Sequence, residues 1–199
     1  MIPPIKFSLL IFFLLHSYQS TLAQSYKYEI YKGNKPIGNI LTKKLQKGDY
    51  TEYIIESNAT FRIIFEFSTQ FKFEASFLNG KLCRSFTKNM LNDSERESTE
   101  ITWENGKYKL VKDNEEVSFL EIKRPEYAMA NLYYQEPTEV SEVFSERFGE
   151  YLPIKSIGKK QYELTLPDGK TNIYTYENGR CSEVKVNHML ATLYFKLMP

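Results

Sequence analysis

From Phe61 to Phe77 the chain alternates between apolar and polar side chains. Phe61, Ile63, Phe65, Phe67, Phe71, Phe73 and Phe77 hold odd positions, and Arg62, Glu66, Ser68, Gln70, Lys72, Glu74 and Ser76 hold even ones. A repeat of two puts one set on a buried face and the other on a wet face, as in a β-strand. At about 3.3 Å per residue the stretch would span roughly 56 Å, too long for a flat strand in a small domain. The pattern therefore predicts a bent strand, or two strands in the same phase divided near Ser68–Gln70. A long curved strand is what an open barrel or wrapped sheet needs.

Turn signals cut the rest of the chain into strands. Phe77-Leu78-Asn79-Gly80-Lys81, Trp103-Glu104-Asn105-Gly106-Lys107 and Tyr176-Glu177-Asn178-Gly179-Arg180 share an aromatic, any residue, Asn-Gly and a base. Asn-Gly accepts the positive φ angles of a two-residue type I′ hairpin turn. Each turn then predicts a register: Phe77 opposite Leu82, Trp103 opposite Tyr108, and Tyr176 opposite Cys181. Glu104–Lys107 and Glu177–Arg180 become cross-strand charge pairs. Further strands are expected at 26–32, 37–45, 50–57, 81–88, 99–103, 107–111, 117–122, 151–156, 161–166, 171–177, 180–187 and 192–197. Pro167-Asp168-Gly169 marks another turn. Residues 125–149 are less regular, and Tyr127–Tyr134 suits a short helix or a strand. The fold class is all-β: a strongly curved antiparallel sheet or incomplete barrel, a meander of hairpins with one short irregular or helical segment.

The first 23 residues depart from this pattern. Lys6, an apolar run Phe7–Leu15 and the small-residue end Thr21-Leu22-Ala23 follow the order of a cleavable signal peptide. The run is well short of the roughly 20 residues a membrane span needs, so no transmembrane anchor is expected. The reading is an exported chain, periplasmic or extracellular and soluble after cleavage near Ala23, with residues 24–199 as a single β-rich domain. Cleavage removes one base from 26, leaving basic and acidic groups in balance. Balanced, interspersed charge gives no footprint for nucleic acid. An oxidising compartment permits a disulfide between Cys83 and Cys181, the only cysteines, but two free, partly buried thiols are the plainer reading.

Chemistry-bearing residues are sparse. The exported part holds one histidine, His188, which shares strand parity with Val184 and Val186 and so reads as a packed core residue. One histidine and two separated cysteines form no metal-ligand cluster, and no cofactor or metal is expected. Ser145, His188 and Asp168 lack the Gly-x-Ser-x-Gly elbow that would support a hydrolase triad. Glu136, Glu139, Glu142 and Glu146 are close in sequence and would suit glycoside hydrolysis if paired across a cleft, but solvated surface is the plainer reading. Aromatic residues make up 15% of the chain, which fits a packed β core or an apolar pocket.

Leu132-Tyr133-Tyr134-Gln135-Glu136-Pro137, Val143-Phe144-Ser145-Glu146 and Leu166-Pro167-Asp168-Gly169-Lys170-Thr171-Asn172-Ile173-Tyr174, with Tyr28-Glu29-Ile30 and Pro36-Ile37-Gly38 before them, form a set. This set resembles an uncharacterised family of small exported bacterial envelope proteins, a domain of unknown function. The resemblance implies an envelope location in a Gram-negative cell and carries no activity. At the level of fold the chain is also similar to the half-barrels of periplasmic lipoprotein carriers. The expectation is a non-enzymatic envelope protein that holds an apolar ligand, a lipid or a lipidated partner on a concave face. Phe61, Ile63, Phe65, Phe67, Phe71 and Phe73 would line that face, with Tyr133, Tyr134 and Phe144. The alternative is a protein–protein module of the envelope docking through an apolar patch around Tyr133, Tyr134 and Phe144. A third reading is a hydrolase using the loop carboxylates.

Overall fold

The computed structural model describes residues 21–62, 66–188 and 191–199. The predicted leader up to residue 20 and the candidates Ile63 and Phe65 lie outside them, as does the side chain of His188. The first half of the chain supplies β1 (Thr21–Lys32), β2 (Lys35–Lys47), β3 (Tyr50–Arg62), β4 (Glu66–Leu78), β5 (Lys81–Leu91), β6 (Ser94–Glu104), β7 (Lys107–Lys112) and β8 (Glu116–Leu120). A 3₁₀ turn, Met129–Tyr133, follows. The second half supplies β9 (Glu142–Ser145), β10 (Glu150–Gly158), β11 (Gln161–Thr165), β12 (Thr171–Glu177), β13 (Arg180–His188) and β14 (Ala191–Leu197).

The fourteen strands among the described residues belong to one antiparallel sheet in the order β8-β7-β6-β5-β4-β3-β2-β1-β14-β13-β12-β11-β10-β9. It is a meander of hairpins in which the first and last strands pair at the centre: Tyr28 faces Leu197 and Ile30 faces Phe195. The sheet is open, with β8 and β9 as its edges. It curls until the β9–β10 hairpin lies over the far half, meeting it through side chains instead of a ladder. Phe144 stacks on Tyr108 with ring centroids 6.4 Å apart, and Thr99 Oγ1 donates to the Arg147 carbonyl at 3.0 Å. This is the curved, incompletely closed barrel that the alternation predicts.

The three Asn-Gly turns have the predicted form, with φ of 52°, 51° and 52° at Asn79, Asn105 and Asn178 and positive φ at each following glycine. Phe77–Leu82, Trp103–Tyr108 and Tyr176–Cys181 pair as expected. The flanking charges behave differently. Glu104 faces Lys107 and Glu177 faces Arg180 in register, yet both cations turn to rings. Lys107 Nζ lies 4.3 Å from the Phe119 centroid, and Arg180 lies over Tyr26. An exposed ion pair contributes little, whereas an aromatic face also takes up the apolar stem of the cation.

The long alternating stretch divides elsewhere than at Ser68–Gln70. The chain reverses between Arg62 and Glu66, which are cross-strand partners, as are Phe61 and Phe67. This pairing joins odd residues to odd residues, so the apolar face passes through the reversal in phase. Tyr127–Tyr134 resolves into the 3₁₀ turn. Here Asn131 Oδ1 accepts from the Ala128 N–H at 2.9 Å, holding the turn without a longer helix.

The segment between the sheet edges runs through the interior as a plug. Ala128, Ala130 and Leu132 are fully buried. Asn131 Nδ2 donates to Tyr53 Oη at 3.1 Å, Tyr176 donates to the Leu132 carbonyl at 2.7 Å, and the Tyr133 ring meets Tyr28 edge-on at 5.4 Å. The plug separates two apolar clusters, one under β1–β7 and one under β10–β13. Two other buried tyrosines act as struts: Tyr28 donates to the Cys181 carbonyl at 2.8 Å and Tyr108 to the Leu82 carbonyl at 2.7 Å. Tyr176→Phe leaves the Leu132 carbonyl without its donor, and a loss of about 1–2 kcal/mol in urea unfolding is expected. An unchanged midpoint would show that the strut carries no load.

Candidate functional site

The plug does not fill the concave face. Beside it lies a half-open pocket of about 560 Å³. Ile40, Ile55, Phe71 and Phe73 form one wall; Tyr174, Val184, Val186 and Phe195 form the other; and Met129, Ala130 and Tyr133 of the plug form the third. Strand alternation explains the walls, because the inward residues of β2–β4 and of β12–β14 face each other across the curl. The pocket thus needs both halves of the chain, joined through the β1–β14 pairing.

The mouth is polar. Asp168 and Lys170 come from the β11–β12 turn, and Arg147 from the β9–β10 turn. Lys170 pairs with Asp168, which holds the Asp168 carboxyl below the usual carboxylate range. Arg147 Nε donates to Glu97 at 2.9 Å. Among the described residues, Asn172 Oδ1 is buried without a hydrogen-bond donor, leaving one acceptor unused on the pocket lining.

Glu146 is also part of the lining and is fully buried. Its carboxyl accepts from the Met129 N–H at 3.1 Å and the Ala130 N–H at 3.4 Å, capping the first turn of the plug. Burial pushes its pKa up to about 8, and the backbone donors offset only part of that shift. The acid-rich run is otherwise divided among different environments. Glu139 and Glu142 are exposed, and Glu136 accepts from the Tyr162 hydroxyl at 2.9 Å.

Of the residues expected to line a ligand face, Phe71, Phe73 and Tyr133 reach the pocket. Phe61 stacks near Phe67 at 5.9 Å and belongs to a separate depression at the sheet rim. Tyr134 packs between Tyr26 and Tyr53, and Phe144 is fully buried against Tyr108 and Tyr151. Tyr133, Tyr134 and Phe144 therefore form no exposed patch. Reading from the first half alone missed Val184, Val186 and Phe195; the shared parity of Val184 and Val186 was the available signal. For Glu146 the signal was its parity with the apolar Phe144.

The cysteines are free, Cys181 buried and Cys83 half-buried. Cys83 lies on β5 and Cys181 on β13, six places apart in the sheet order. Cys83 follows the inward Leu82 and accepts from Arg124 Nη2 at 3.1 Å, whereas Cys181 is buried inside. The two thiols therefore occupy opposite faces, which no bridge geometry spans. Burial raises the pKa of the Cys181 thiol well above the ordinary thiol value. Among the described residues, no group of three or more His, Cys, Asp or Glu side chains is placed to hold a metal ion. No helix among them is long and apolar enough to cross a membrane.

Fold and pocket together define an open, barrel-like antiparallel β protein with a plug segment and an internal apolar pocket. The chain belongs to the DUF6134 family, a domain of unknown function, whose model matches residues 28–198. No curated protein matches it. Among solved structures it is similar to the crystal structure of a beta-barrel-like protein of the domain of unknown function DUF1849 from Brucella abortus. The TM-score is 0.54 at 10% identity, covering 87% of this chain and 95% of that one. At that identity the likeness establishes a shared fold alone.

Proposed function

We propose that this chain is a non-enzymatic binding protein that holds an apolar ligand, or the acyl chain of a lipidated partner, in the pocket beside the plug. The observation that carries this reading is the half-open cavity of about 560 Å³ walled by apolar side chains from both halves of the sheet. Its size falls within the roughly 300–1,000 Å³ range of small-molecule sites, and few polar groups among many apolar ones is the usual composition of such sites. Two carboxyls at the same pocket with pKa values pushed in opposite directions would suit acid–base chemistry, but both are occupied. Glu146 caps the plug and Asp168 is held by Lys170. The leader at 1–23 fits a binding protein working in the cell envelope. Cleavage near Ala23 would shorten β1 by three residues, opposite Leu45–Lys47, and leave the ladder from Gln24 onward.

Val186→Trp fills the pocket from one wall and tests the proposal. Delipidated wild-type protein should bind the neutral fluorophore N-phenyl-1-naphthylamine saturably at one site. The variant should bind it at least tenfold more weakly while keeping its free energy of unfolding in urea within about 1 kcal/mol of wild type. Non-saturable binding, or equal affinity in a folded variant, would count against the pocket.

A further inference from the structure

Among the described residues the cations at the pocket mouth, Lys170 and Arg147, are both paired. Unpaired charge occurs at the rim of the same concave sheet. Lys32 at the end of β1, Lys35 at the start of β2 and Arg62 at the end of β3 surround a depression of about 310 Å³, with Phe61, Ile37 and Thr60 between them. Among the described residues none of these three cations has a carboxylate within salt-bridge distance. The one acid among the described residues at the depression is Glu66, the cross-strand partner of Arg62. Lys32 Nζ stands 6.0 Å from the Phe61 centroid, giving the depression an aromatic side beneath a cation.

The two depressions share a face. Ile55 and Ser57 belong to the pocket, and Phe61, of the same parity on the same strand, belongs to the rim. From Ser57 to Phe61 is four strand residues, about 13 Å. The side chains between them are small: Ala59, and Gly38 opposite it on β2. An apolar cavity and a net-positive rim thus lie along one strand, with only the small Ala59 between Ser57 and Phe61 on that face of β3 and Gly38 beside it on β2.

We propose that the ligand is an anionic amphiphile, its hydrocarbon chain in the pocket and its phosphate or carboxylate head at Lys32, Lys35 and Arg62. This rests on the apolar-pocket reading and adds the class of head group. Three cations against one carboxylate match an anion, and a ligand bridging the two depressions gains from burial and from charge together.

The test uses dodecyl phosphate, dodecanol and dodecylamine, together with inorganic phosphate, titrated calorimetrically into the delipidated wild-type chain and a Lys32→Glu/Lys35→Glu/Arg62→Glu variant. Lys35 and Arg62 are exposed and Lys32 is half-buried, so the variant should fold; its far-UV spectrum and urea midpoint verify that. Wild type should bind dodecyl phosphate at least tenfold more tightly than dodecanol and dodecylamine, and inorganic phosphate far more weakly than any chain-bearing anion. The folded variant should keep its affinity for dodecanol and lose the preference for the phosphate. Equal affinity for phosphate and alcohol in wild type, or a preference that survives the charge reversal, overturns the head-group assignment while leaving the pocket intact. Inorganic phosphate binding as tightly as dodecyl phosphate overturns the amphiphile. Failure of every chain-bearing probe to bind overturns the pocket reading along with it.

Discussion

Exchanging Glu146 for glutamine should remove a loss of stability that the wild-type chain shows as pH rises from about 5 to 8. The carboxyl is fully buried, and its pKa stands at about 8 in the folded chain against a reference of 4.5. Below the reference value both states hold the proton and the group adds no pH dependence. Between the two values the folded chain keeps a proton that the unfolded chain has released, so unfolding liberates a proton and higher pH favours it. Above about 8 both states are ionised and the full penalty of the buried charge is present. Each pH unit in the window corresponds to about 1.4 kcal/mol for one proton, so the total is several kcal/mol, a large share of a typical domain's stability. Glutamine cannot ionise; its Oε1 can keep one of the two N–H partners, while its amide nitrogen cannot accept from the other. Urea midpoints measured from pH 5 to 9 should fall with pH for wild type and stay level for Glu146→Gln, so that the difference between them moves steadily in the variant's favour toward the alkaline end. Glu146→Leu should be destabilised even at pH 5, by about 1–3 kcal/mol, because the Met129 and Ala130 N–H groups lose their acceptor. Parallel curves for wild type and Glu146→Gln would show that the carboxyl is not held neutral.

Glu146 was only weakly legible from its neighbours. It sits in an acid-rich run whose other members face solvent or a tyrosine hydroxyl, and only its parity with the apolar Phe144 sets it apart. What buries it is the plug, whose 3₁₀ turn presents two N–H groups where the carboxyl ends. The plug's partners are distant in the chain: Tyr53, Tyr28 and Tyr176. Asn-Gly hairpins, by contrast, are specified within six residues, and their registers were legible to the residue. The reversal between Arg62 and Glu66 carries no Gly, Asn or Pro, and its parity conceals it, so one strand and two strands in phase look identical in sequence. The pocket was half legible. Phe71 and Phe73 followed from alternation in the first half, but the opposing Val184, Val186 and Phe195 required knowing that β1 pairs with β14. Whether an aromatic face packs into a core or lines a cavity depends on how far the sheet curls, and here Phe73 does both.

The curl itself should depend on Gly38, and Gly38→Ala should destabilise the chain by about 3 kcal/mol or more, beyond most single substitutions. Gly38 lies on β2 between Ile30 of β1 and Ala59 of β3. A Cβ there would stand 2.1 Å from the Asn58 carbonyl oxygen and 2.6 Å from the Ala59 Cα. Both are backbone atoms of the adjacent strand, so no rotamer change relieves the contact. The β1–β2 register shifts between Ile30 and Tyr31, beside this position, and a bulge beside a glycine is a common way for a sheet to bend sharply. Alanine would force β2 and β3 apart where the apolar face passes from the pocket to the basic rim. Gly33→Ala is the matched control. Gly33 has φ of +60° with open space around its Cβ, so its loss should be about 1 kcal/mol, from backbone strain alone. Urea unfolding followed by far-UV circular dichroism should therefore rank wild type, Gly33→Ala and Gly38→Ala in falling order, with the largest gap before the last. If Gly38→Ala unfolds within 1 kcal/mol of wild type, β2 and β3 are free to separate there, and the close approach of the two strands does not hold the curvature that makes the pocket.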